Sequence, residues 1–147
     1  MILMIIVFGM WFNYRIHHQY DHVTISDIYR ITRIQFPPDS KVLNSVGISF
    51  LRPRLWAKVE MSAKEAVPFM RGLTGIHPTD ISRKRKLSKS SYPPEIGMRN
   101  PVEWWNPSSA KRFVSAEFFD PTSERIYVLI DLDQPDTAIV YLNFQDD

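Results

Sequence analysis

Alternation narrows the fold of this chain more than any other feature. Over residues 41–50, Val42, Asn44, Val46 and Ile48 fall on one side of an extended backbone, and Leu43, Ser45 and Gly47 on the other. Arg52-Pro53-Arg54 makes a turn, after which Leu55, Ala57, Val59 and Met61 alternate with Trp56, Lys58 and Glu60. Successive strand side chains point to opposite faces, so this stretch predicts a β-hairpin with one buried face. Residues 112–119 set Phe113, Ser115 and Glu117 against Val114, Ala116 and Phe118, and the runs 125–132 and 137–144 are rich in β-formers. Asp120-Pro121-Thr122-Ser123 and Asp133-Gln134-Pro135-Asp136 separate these runs with turn-forming residues. The expectation is a three-stranded meander whose middle strand, 125–132, is the most buried.

Helical signals are fewer. Thr24 can cap a helix, Asp27 stands at its third position, and Val23 and Ile28 are spaced as a hydrophobic staple. Ile25, Ile28, Ile31 and Thr32 then share a face, and the helix must end before Phe36-Pro37-Pro38. Ser62-Ala63-Lys64-Glu65 has capping-box spacing and predicts a short helix through about Arg71, closed by Gly72. Pro68 inside it predicts a kink or a very short helix. Asn106-Pro107 can open one helical turn. Together these signals predict an α+β fold: an antiparallel sheet of about five strands with two or three short helices on one face.

With 147 residues, one domain is expected, large enough to bury a core without disulfides. The chain has no cysteine, which excludes disulfides, thiolate metal sites and a cysteine nucleophile. The net charge of +2 hides an asymmetry: residues 1–73 carry +4, 74–100 another +4, and 101–147 carry −6. Such a basic front and acidic end either steer a charged partner or face each other and solvent.

Residues 1–12, MILMIIVFGMWF, are uncharged. A membrane-spanning helix needs about 20 apolar residues, and a signal peptide needs a basic start and a small-residue cleavage site, which are missing here. An interfacial helix needs a polar face, which this run lacks. Two readings remain: the distal half of a signal anchor, with Trp11, Phe12 and Tyr14 at the membrane interface, or an element of the domain core. The anchor is preferred. The expected organisation is an apolar segment with its polar flank at 1–22, then a single domain at 23–147 with a basic surface loop at 73–101.

Catalytic motifs are scarce. No G-x-S-x-G, no H-E-x-x-H and no glycine-rich phosphate loop is present. His18 and His22 have zinc-ligand spacing but lack the general-base glutamate between them. Asp131, Asp133 and Asp136 lack the glycine and glutamate of a calcium loop, which leaves them a polar hairpin tip. Ser108-Ser109-Ala110-Lys111 matches S-x-x-K without its partner motifs. No metal, cofactor or catalytic residue is therefore expected. The candidate partner-binding residues are Trp104 and Trp105, one of which can anchor a partner, and the cluster Arg83-Lys84-Arg85-Lys86. Only Tyr92 offers aromatic stacking near that cluster, which argues against nucleic acid.

Trp104-Trp105-Asn106-Pro107, Arg112-Phe113, Val128-Leu129-Ile130-Asp131 and Val140-Tyr141-Leu142 resemble small bacterial proteins of unknown function. The Phe36-Pro37-Pro38-Asp39 step is similar too. The resemblance implies one N-terminal membrane segment and one extracytoplasmic domain, and no activity. The resulting expectation is a non-enzymatic binding domain on the outer side of a bacterial membrane, attached through residues 1–12; its partner stays open, with a protein among the candidates. The alternative is a soluble inhibitor or immunity-type protein, cytoplasmic, with residues 1–12 in its core. A hydrolase ranks third.

Overall fold

The computed structural model describes residues 22–48, 54–74, 103–119 and 124–145. In chain order they form α1 (Ile25–Thr32), β1 (Lys41–Ile48), β2 (Arg54–Ser62), α2 (Ala63–Thr74), one 3-10 turn (Pro107–Ser109), β3 (Phe113–Phe119), β4 (Arg125–Asp131) and β5 (Thr137–Gln145). The strands make one antiparallel sheet in the order β1-β2-β5-β4-β3, so the fold is α+β. The apolar run 1–12, His17, His18, the turn 120–123 and the basic cluster 83–86 lie outside the described residues.

The last strand joins the two halves of the sheet. β5 pairs with β2 from Arg54↔Gln145 to Ser62↔Thr137, and with β4 on its other side. The 125–132 strand is the middle of the β3-β4-β5 meander, as the pattern predicts, but the most buried strand is β5 at the centre of the sheet. Residues 140–144 of β5 are all buried, which requires cover on both faces. One face carries Leu55, Val59, Val128, Ile130, Val140 and Leu142, packed with Ile28 of α1 and Ala66, Phe69 and Met70 of α2. The other carries Trp56, Leu129 and Tyr141, packed with Trp105 and Ala110. The expectation of one buried hairpin face is therefore corrected: Leu55, Trp56 and Ala57 are buried in succession, because a second aromatic cluster covers the side opposite the helices.

The alternation in β1 also needs correction. The register shifts between Val42 and Asn44, leaving Leu43 as an extra residue. Such a bulge reverses which face the following side chains take. Val42, opposite Val59, joins the helix-side cluster, whereas Val46, opposite Trp56, joins the aromatic cluster.

At α1 the local signals are realised. Thr24 Oγ1 accepts from the Asp27 amide (3.2 Å), and Asp27 Oδ2 accepts from the Thr24 amide (3.0 Å). Val23 and Ile28 are both buried, and the Val23 amide donates to Ser45 Oγ (3.1 Å), docking the start of α1 on β1. α2 departs from expectation. It continues for 12 residues, through Pro68 and past Gly72. Ala66, Phe69, Met70 and Leu73 recur at helical spacing on the sheet side, and that burial outweighs the local breakers. Pro68 and Lys64 are exposed, so the carbonyl deprived of its amide partner sits on the solvent side.

Candidate binding site

A concave surface lies where the chain leaves α1. The Thr32 hydroxyl donates to the Ile28 carbonyl (2.8 Å) and accepts from the Ile34 amide (3.1 Å). Arg33 takes the left-handed conformation (φ 60°, ψ 11°), and its amide donates to the Tyr29 carbonyl (2.8 Å). That conformation costs a non-glycine residue about 1–2 kcal/mol, and here it stops the helix. The exit segment then alternates: Ile34 and Phe36 are buried, Arg33 and Gln35 exposed. Pro37 and Pro38 bar any regular continuation, and the Ser40 amide closes a turn onto the Pro37 carbonyl (3.1 Å) before β1 begins.

This segment faces α2 across an open cleft of about 680 Å³, within the range of small-ligand sites. Phe36 and Phe69 meet at its floor, with ring centroids 4.7 Å apart and planes tilted by 33°. The exit segment contributes Arg33, Gln35 and Asp39 to one lip, and α2 contributes Lys64, Glu65 and Gly72 to the other. Ser62 and Ser40 also line the cleft, and Ser40 Oγ is buried without a hydrogen-bond partner. Among the described residues no ion pair engages Arg33, Asp39, Lys64 or Glu65. The lining holds hydroxyls and carboxylates but, among the described residues, no histidine to activate a nucleophile.

The tryptophan pair occupies a different place. Trp105 is buried, edge-on to both Trp104 (5.8 Å) and Tyr141 (5.5 Å), while Trp104 is half-buried. Lys58 Nζ donates to the Trp104 carbonyl (3.3 Å) and to Asn106 Oδ1 (3.4 Å), and Tyr141 Oη donates to the same Asn106 oxygen (2.8 Å). Pro107 at the start of the 3-10 turn is buried as well. These contacts fasten residues 104–110 across the sheet, so the pair builds the second cluster and leaves only part of Trp104 to solvent. Burial lowers the pKa of the Lys58 amine, with the Asp131 carboxylate opposing it. Burial, helped by Asp131, raises that of the Tyr141 phenol.

The acidic hairpin tip is engaged with backbone. Asp133 accepts from the amides of Lys111 (3.0 Å) and Arg112 (2.7 Å), and Asp131 Oδ1 accepts from the Asp133 amide (2.9 Å). The Asp136 carbonyl accepts from the Ala63 amide (3.0 Å) and ties the first turn of α2 to this hairpin. Among the described residues no three His, Asp or Glu side chains converge on a metal-sized site. His22 is exposed, and the Ser109 hydroxyl donates to the Asn106 carbonyl (2.7 Å).

No motif in the sequence marks the cleft residues as a site; its traces are indirect, a double proline after α1 and a proline within α2. No known protein family, curated protein or solved structure matches the chain. Among the described residues, no helix is long and apolar enough to cross a membrane.

Proposed function

We propose that this chain is a non-enzymatic binding domain whose receptive surface is the cleft between the α1 exit segment and α2. The observation that carries the reading is the combination within one concavity of an aromatic floor, four charged groups without ion-pair partners among the described residues, and an unsatisfied serine hydroxyl. Ligand sites pair an apolar surface with a few converging polar groups in this way. A fragment screen followed by heteronuclear NMR tests it. Perturbations clustered on residues 33–40 and 62–73 are expected. A cleft silent to every compound, with shifts around Trp104 instead, would move the binding surface to the tryptophan segment.

The reading extends to display on the outer side of a bacterial membrane, attached through residues 1–12. Support for attachment is the uncharged composition of that run. The alternative is a soluble inhibitor or immunity-type protein that buries the run in its core. Deleting residues 1–12 separates the two. Under attachment, the truncated protein leaves the membrane fraction and melts cooperatively. Under burial, each lost core aliphatic costs about 2–5 kcal/mol, and the cooperative melt disappears.

A further inference from the structure

We propose that the cleft takes a small zwitterion with an apolar body, of the class of aromatic or branched amino acids and their dipeptides. This rests on the reading of the cleft as the binding surface. The argument starts from charge. Each lip carries one cation and one anion: Arg33 and Asp39 on the exit segment, Lys64 and Glu65 on α2. No ion pair engages these four among the described residues, so their charges are not spent on one another within bonding distance. A ligand of one sign meets as many repulsive as attractive partners here. A ligand carrying both signs a few bonds apart can set each against its opposite.

The floor decides the rest of the ligand. Phe36 and Phe69 form a tilted ring pair that is nine-tenths buried beneath the cleft, and Pro68 and Leu73 supply the more exposed apolar surface beside it. An aromatic or branched side chain is the complement of such a floor. Ser40 Oγ, buried and unpartnered, supplies a hydrogen bond that an ammonium, carboxylate or peptide group of the ligand completes.

The test titrates the full-length protein, in non-ionic detergent, with L-phenylalanine and with the dipeptide phenylalanyl-phenylalanine. Two singly charged analogues serve as controls: N-acetylphenylalanine, an anion, and phenylalanine amide, a cation. Binding is followed by heteronuclear NMR. The expected result is binding of the zwitterions, with shifts confined to residues 33–40 and 62–73. Both analogues should bind measurably more weakly, by up to about fivefold, the most that one exposed ion pair is worth. Tighter binding of the dipeptide identifies peptides, rather than free amino acids, within the same class. Gly72→Leu should abolish binding without lowering the melt, because a Cβ at this lining position meets no atom within 4 Å and the larger side chain occupies the cleft instead.

Analogues that bind as tightly as phenylalanine overturn the zwitterion and leave the cleft a binding surface. Binding that persists in Gly72→Leu places the ligand elsewhere and overturns the proposal. Absence of binding by all four compounds also overturns it; the cleft reading falls with it only if the fragment screen is silent as well.

Discussion

Lys58 on β2 and Tyr141 on β5 stand opposite each other in register, and Lys58 Nζ lies 5.2 Å from the centroid of the Tyr141 ring. Both groups converge on Asn106 Oδ1, at 3.4 Å and 2.8 Å, so one carboxamide oxygen locks the 104–110 segment to two strands. The two groups respond to alkali in opposite directions. The raised Tyr141 pKa gives stability that is complete below the ordinary tyrosine value of about 10 and is lost as pH rises through the folded value. The lowered Lys58 pKa makes stability rise with pH between the folded value and about 10.4. Tyr141→Phe should cost about 1 kcal/mol at neutral pH through the lost hydrogen bond. It should also remove the alkaline fall, leaving the Lys58 rise. Urea unfolding between about pH 7 and 11 reads both effects.

Gly72→Ala should stabilise the protein. Gly72 lies within α2, is exposed, and an added Cβ meets no atom within 4 Å. Alanine in a helix is favoured over glycine by about 0.5–1 kcal/mol. A thermal melt that does not rise would show that the helix already ends before this position.

Thr24→Ala should destabilise by about 1 kcal/mol, the usual worth of an N-cap side chain. The Thr24 amide and hydroxyl also hold the Asp27 carboxyl below the usual aspartate range, with Arg30 assisting. Removing the hydroxyl should move the Asp27 titration upward, and carboxyl-detected NMR can follow it.

Asp133→Asn should weaken the fold at neutral pH and change little in strong acid. Its carboxylate accepts the amides of Lys111 and Arg112, and these bonds hold its pKa below the ordinary value. The group therefore lends stability that is complete above about pH 4 and is lost as pH falls through the lower folded value. Melts of the two proteins should differ at pH 7 and converge on acidification.

Leu142→Ala and Leu43→Ala should differ sharply. Leu142 is fully buried on the central strand, and its truncation should cost about 2–5 kcal/mol. Leu43 is the extra residue of the β1 bulge and 43% exposed, and its truncation should stay within about 0.5 kcal/mol. Paired urea titrations give both values. A large loss at Leu43 would mean that the bulge lies elsewhere.

What the sequence determined by itself is what neighbouring residues decide among themselves. Thr24 and Asp27 close the capping box, Pro107 opens one 3-10 turn, and the alternating runs become strands. These outcomes depend on contacts a few residues apart, and such spacing is visible in a linear string. Tertiary structure decided the rest. β5 became the centre because β2, distant in sequence, pairs along its free edge. Lys58, with no motif around it, acquired its role from Tyr141 and Asn106 across the sheet. α2 passed Pro68 and Gly72 because Ala66, Phe69 and Met70 bury against the sheet, a gain no local propensity records. The tryptophan pair was legible only in part: adjacent side chains on an extended backbone point apart, but that Trp105 packs on Tyr141 is decided across the sheet. The cleft was not legible at all, because it exists only where the α1 exit segment meets α2 and Phe36 reaches Phe69. Long-range burial chooses among the arrangements that local signals allow, and that choice leaves no periodicity in the chain.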